Sequence, residues 1–211
     1  MVKQLRCELK SLANPEQAKL LAWFFKTGKA EYGEGDRFLG IAVPVLRRLA
    51  KQYRDATLAE ISKLLMTRVH EQRFLALCLL THKFQKASPE EQREIYQLYL
   101  NHTRWINNWD LVDVSAPKIP GAYLLKHPEE RNILYQLTVS KNLWEKRIAI
   151  LSTFAFIRAE DFGDSLRLAK ILLNDPHDLI HKALGWMLRE IGKRHRPTLE
   201  KFLHENLDRM P

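Results

Sequence analysis

A helix start signal recurs along the whole length of this chain, and it restricts the fold more than any other feature. Asn14-Pro15-Glu16 reads as a capping side chain followed by proline at the first helical position, where the missing amide costs nothing. Thr57-Leu58-Ala59-Glu60 and Ser88-Pro89-Glu90-Glu91 fit the capping box, in which a hydroxyl and a carboxylate satisfy otherwise orphaned amides. Pro128, Pro176 and Pro197 open further segments. Between these signals the apolar residues recur at helical spacing, as in Leu58, Ile61, Leu64 and Leu65. The pattern predicts helices over 3–12, 15–27, 44–54, 58–67, 70–86, 89–103, 109–115, 118–126, 128–139, 142–157, 161–173, 177–194 and 197–208. Gly28–Gly40 reads as a loop, and nothing reads as an alternating strand or an Asn-Gly hairpin.

The openings near 16, 57, 89, 128, 160 and 197 lie 32 to 41 residues apart. That is a loose helical-pair period, somewhat below the ~40–47 residues of HEAT or armadillo units. The expectation is a single all-α domain over 1–211, an α-solenoid of antiparallel helix pairs with a concave basic groove. Low glycine and proline content, 8 and 9 residues of 211, excludes a turn-rich β fold and low-complexity disorder. The net charge of +9 is spread out: residues 1–100 carry 17 basic and 11 acidic side chains, and residues 101–211 carry 17 and 14. A diffuse basic field suits a polyanion, either nucleic acid or an anionic membrane. Cys7 and Cys78 lack the spacing of a disulfide framework or a zinc ribbon. Apolar runs such as Leu20–Phe25 and Phe74–Leu80 are too short to span a bilayer, and residues 1–13 lack a signal-peptide core, so a cytoplasmic protein is expected.

Several residues sit awkwardly on their predicted helices. On 177–194, Leu179, Ile180, Ala183, Leu184, Met187, Leu188 and Ile191 form the core face. Trp186 falls outside it, in a stripe with Lys182, Arg189 and Lys193, where an indole can stack on a sugar or pack against a neighbouring helix. On 142–157, Arg147 shares the apolar arc of Ile150, Leu151 and Phe154, and a buried guanidinium calls for an anionic partner. Trp109 and Asp113 are four apart at the start of a short helix and share a face. Asp110 and Asp113 also suit the helix dipole, which is the structural alternative. His177 and His181 have half of a metal-binding spacing but no third ligand, so no metal is expected. The glycines near 33 and 35 follow no strand and are not a nucleotide fingerprint, and no nucleophile motif is present.

Three separated stretches together carry a likeness: Trp109-Asp110-Leu111-Val112-Asp113, Trp144–Ile150, and Lys182–Glu190. With Phe38–Arg47 they make residues 35–195 resemble the HEAT-like-repeat DNA alkylation-repair glycosylases of the AlkD type. The resemblance implies an all-α solenoid holding alkylated duplex DNA and hydrolysing the N-glycosidic bond of cationic N3- or N7-alkylated purines. It assigns the catalytic aspartate to Asp113, the sugar-facing tryptophans to Trp109 and Trp186, and the groove arginine to Arg147. Lys182, Arg189 and Lys193 are expected to contact DNA with Arg147. It further implies a monomer without cofactor or membrane partner, associated with the nucleoid, in a family whose members usually continue past the position of Pro211. The alternatives are a non-catalytic HEAT-like module that binds DNA structure and a protein-binding scaffold.

Overall fold

A computed structural model describes residues 1–210. The described residues fold into helices, with one isolated bridge between Arg37 and Val69 in place of a sheet. The chain divides into two compact units, Met1–Ser115 and Ala116–Pro211. No helix among the described residues is long and apolar enough to cross a membrane.

The first unit holds α1 (Val2–Ser11), α2 (Pro15–Phe24), α3 (Val43–Gln52), α4 (Leu58–Leu65), α5 (His70–Phe84), α6 (Pro89–Asn101) and α7 (Trp109–Ser115). The caps act as the sequence predicts. Asn14 accepts from the amides of Glu16 and Gln17, and both capping boxes close, at Thr57–Glu60 and Ser88–Glu91. Helix α5 is the axis of the unit. Thirteen of its fifteen residues are buried, and it packs on α3, α4, α6 and α7. A helix covered on every side should be apolar all round, yet α5 opens on buried His70, Glu71, Gln72 and Arg73. The carboxylate of Glu71 accepts from the amides of Leu39 (2.9 Å) and Gly40 (2.8 Å), which pins the loop before α3. At Gly40 the backbone takes φ +82°, and a Cβ would stand 2.1 Å from the Asn14 carbonyl oxygen.

The second unit holds α8 (Pro120–Lys126), α9 (Asn132–Thr138), α10 (Leu143–Ser152), α11 (Phe154–Arg158), α12 (Gly163–Leu172), α13 (Asp178–Arg194) and α14 (Arg196–Asn206). Its central helix is α10, which contacts α8, α9, α11, α12 and α13. The predicted helix 142–157 is in fact two helices parted at Thr153. The hydroxyls of Ser152 and Thr153 turn back onto the Ile148 and Ile150 carbonyls at 2.7 Å each, which bends the chain there. Predicted helix 128–139 likewise resolves into a 3-10 turn at Pro128–Glu130 and then α9. Helix α8 crosses the end of α10 so closely that a Cβ on Gly121 would lie 2.2 Å from the Ser152 carbonyl oxygen.

Candidate active site

The candidate residues of the first unit stand on α7. Asn108 starts it: its Oδ1 accepts from the Trp109 amide at 2.8 Å. Leu111, Val112 and Ser115 are buried, and the Ser115 hydroxyl meets that of Tyr99 at 3.0 Å. This anchoring leaves Trp109 and Asp113 half-buried, one turn apart on the same side of α7. Burial raises the Tyr99 hydroxyl's pKa, and the charge of Asp113 adds to that shift, so the carboxylate lies within electrostatic reach of this ring.

Trp109 continues an aromatic wall. Phe25 stacks on it with centroids 5.2 Å apart, and half-exposed Phe24 meets it edge-on at 6.0 Å. Phe25 also stacks on Phe38 (5.1 Å), and both rings contact the His70 imidazole, at 4.9 and 4.6 Å. Behind the wall lies a polar set that motif analysis did not find. His70 Nε2 is 2.8 Å from Asp110 Oδ2, and its Nδ1 is 3.2 Å from Asp36 Oδ2. Arg73 donates to Asp36 and, at 3.2 Å, to the Thr67 carbonyl. Burial opposes charge on the ring, but Asp110 and Asp36 outweigh it, so the pKa of His70 is raised. Burial also works against the Asp36 carboxylate, and there His70 and Arg73 prevail, so its pKa is lowered.

The candidate residues of the second unit lie on α10 and α13. Arg147 is only 5% exposed, as its place on an apolar arc required. Its Nη1 donates to the Leu179 carbonyl at 2.6 Å, so backbone supplies one of its partners. All seven predicted core residues of α13 are buried, joined by Glu190. Trp186 is half-buried and leans on Phe154 at 5.6 Å, while the Arg158 guanidinium lies 4.4 Å over the same Phe154 ring. Lys182 pairs with Asp178 (2.8 Å) and Lys193 with Glu190 (2.7 Å), whereas Arg189 is exposed. Arg189 and Lys193 border a groove of about 690 Å³ floored by Leu188, Leu199 and Leu203. Among the described residues, His127, Glu129 and Glu130 could bring ligand atoms within 4.8 Å of one another. His127 already stacks on Tyr123 (4.3 Å), whose hydroxyl donates to Glu130 (3.0 Å).

The family model described as "DNA alkylation repair enzyme" matches residues 5–211. The chain belongs to the DNA alkylation repair enzyme family. Among solved structures it resembles a predicted DNA alkylation repair enzyme from Enterococcus faecalis, with TM-score 0.70 and 21% identity over 92% of this chain and 89% of that one. It also resembles AlkD2 from Streptococcus mutans, with TM-score 0.60 and 18% identity over 97% of this chain and 89% of the other. No curated protein sequence matches it.

In this DNA alkylation repair family member, α7 presents a carboxylate and an indole on one side of a short, well-anchored helix. A carboxylate can stabilise a nearby cation and orient a water, and an indole face can stabilise the same positive charge. Sequence reasoning gave no role to Asp36, His70, Arg73 and Phe25, and met Phe38 only as the start of the Phe38–Arg47 likeness. Their one local signal is four polar residues, His70 to Arg73, running straight into the apolar stretch Phe74–Leu80.

Proposed function

We propose that this member of the DNA alkylation repair family is a DNA N-glycosylase acting on N3- or N7-alkylated purines in duplex DNA. The observation that carries the proposal is the pairing of half-buried Trp109 and Asp113 on one side of α7, backed by the Phe24–Phe25–Phe38 wall. An alkylated purine already bears positive charge and leaves without a general acid. The C1′–N bond breaks with its electron pair passing to the base, which becomes neutral, and C1′ becomes oxocarbenium-like. Asp113 stabilises that cation and orients a water whose oxygen bonds to C1′; the released proton passes to the carboxylate and on to solvent. Trp109 and Trp186 offer indole faces to the sugar cation. Arg147 serves a phosphate, and Lys182, Arg189 and Lys193 add sequence-independent contacts. The protein works as a monomer without a cofactor, its helices paired as HEAT-like repeats.

The deciding experiment is Asp113→Asn on a duplex containing 7-methylguanine. Single-turnover base release should fall at least ~100-fold, the scale of removing a charge-stabilising group from a reacting centre. Unchanged release overturns the role. A second reading, DNA binding without excision, draws on Arg147, which is 5% exposed and already donates to Leu179. It predicts no freed base from the wild type, with affinity for the duplex that falls steeply as salt is raised.

A further inference from the structure

The buried polar turn at the start of α5 takes no part in the chemistry proposed above. Four charged groups meet there: Asp36 from the loop before α3, His70 and Arg73 from α5, and Asp110 from α7. Their side chains are 2%, 4%, 2% and 14% exposed. Asn107 also faces the set, its Nδ2 lying 3.4 Å from Asp36 Oδ1, and Phe25 and Phe38 close the rest. Both nitrogens of His70 look at carboxylate oxygens, and only the imidazolium donates from both; the Arg73 Nη2, 3.4 Å from Nδ1, opposes that proton but is outweighed by the two carboxylates. With that proton the four groups sum to zero charge; without it one buried negative charge is left over, which is costly.

Helix α7 has seven residues and cannot hold its own shape or place. Its last turn is fixed by the Ser115–Tyr99 contact and its middle by Leu111 and Val112, both fully buried. Its first turn, which carries Trp109, is fixed by Asp110. The Phe25 ring ties His70 to that same turn a second time, since it contacts the imidazole and also stacks on Trp109.

We propose that His70 is a positioning residue: its imidazolium, clamped between Asp36 and Asp110, sets where α7 holds Trp109 and Asp113. The effect on base release rests on the glycosylase reading; the clamp itself does not. The raised pKa of His70 means that the clamp outlasts the pH at which an ordinary histidine loses its proton and loosens as pH climbs through the higher folded value.

The test uses the full chain, His70→Gln and Asp110→Asn. Amide exchange over residues 109–115 is followed across a pH series and corrected for intrinsic rates, alongside single-turnover release of 7-methylguanine. In the wild type, α7 protection should decline as pH rises above the ordinary histidine value of 6.5. In both variants it should be lower by about tenfold below pH 6.5, where the wild-type imidazole is protonated, the scale of one lost charge-assisted hydrogen bond, and nearly flat with pH. Protection of α10 and α13 should not change. Release should slow by ~10- to 100-fold at unchanged duplex affinity, because misplacement rather than lost binding is the fault. Protection of α7 within twofold of wild type in Asp110→Asn overturns the proposal, as does an equal loss across α3 and α4, which would make the set a general prop of the fold. Asp110→Asn leaves Asp36, His70 and Arg73 in place and keeps the test open if His70→Gln does not fold. Absence of base release by the wild type defeats the glycosylase reading alone; the exchange data then still decide the clamp.

Discussion

A charged network in each unit can be set side by side, and the two are built on opposite terms. The first unit closes Asp36, His70, Arg73 and Asp110 inside, each group at most 14% exposed. The second joins Arg131 to Asp161 (2.7 Å) and Asp164 (3.0 Å), and Asp164 to Tyr135 (2.6 Å) and Arg167 (2.8 Å). It sits at the edge, with Arg167 64% and Asp161 42% exposed. Asp164 has three donors, and Arg131 also reaches the Leu124 carbonyl and lies 4.1 Å over Phe156. Redundancy and water make the second network tolerant. In the first, every charge depends on every other, because none can turn to solvent.

The comparison can be broken most directly at Asp36. Asp36→Ala strands Arg73 and His70 in the interior, and urea unfolding should show a loss of about 3–5 kcal/mol; a loss near zero would mean that water enters the site freely. Next comes pH. Because the folded pKa of His70 is raised, its contribution is fully present below 6.5 and is lost as pH rises through the higher folded value. Asp36 is lowered, so its contribution holds above 3.8 and is lost as pH falls through the folded value. Exchange protection of α5 should therefore weaken on the alkaline side. That of α12 should not, because Asp164, also lowered, titrates only in acid. A smaller effect belongs to Arg167→Ala: its largely exposed guanidinium meets Asp164 and Tyr135, and its loss should cost no more than about 1 kcal/mol in the same urea assay. Smallest is Lys182→Ala: its exposed pair with Asp178 should change stability by under about 0.5 kcal/mol. The salt slope of duplex binding should nevertheless fall by about one if Lys182 contacts phosphate.

What the sequence discloses tracks how local the cause is. Capping at Asn14, Thr57 and Ser88 is settled within three residues, and those helices begin where the signals stand. The buried face of α13 follows from its 3.6-residue period, and Arg147 could be recognised as buried by the same arithmetic. The break at Thr153 was hidden because Ser and Thr are weak signals inside an otherwise apolar run. Trp109 and Asp113 were legible as a pair on one helix face, whereas the clamp behind them was not. Asp36 and Asp110 stand 34 and 40 residues from His70, and no periodicity links such positions. Only the expense of burying four polar residues in one turn announces that partners must exist.

The contact between Gly121 and Ser152 also bears on the candidate tryptophan of the second unit. A wall one hydrogen atom thick separates the backbones of α8 and α10 just where the chain bends into α11. A methyl group at position 121 would have to pry that elbow open. Phe154 is the first residue beyond it, so the ring on which Trp186 leans would shift with the hinge. The tolerance at a glycine without any polar atom in its side chain thus sets the seat of an indole on another helix.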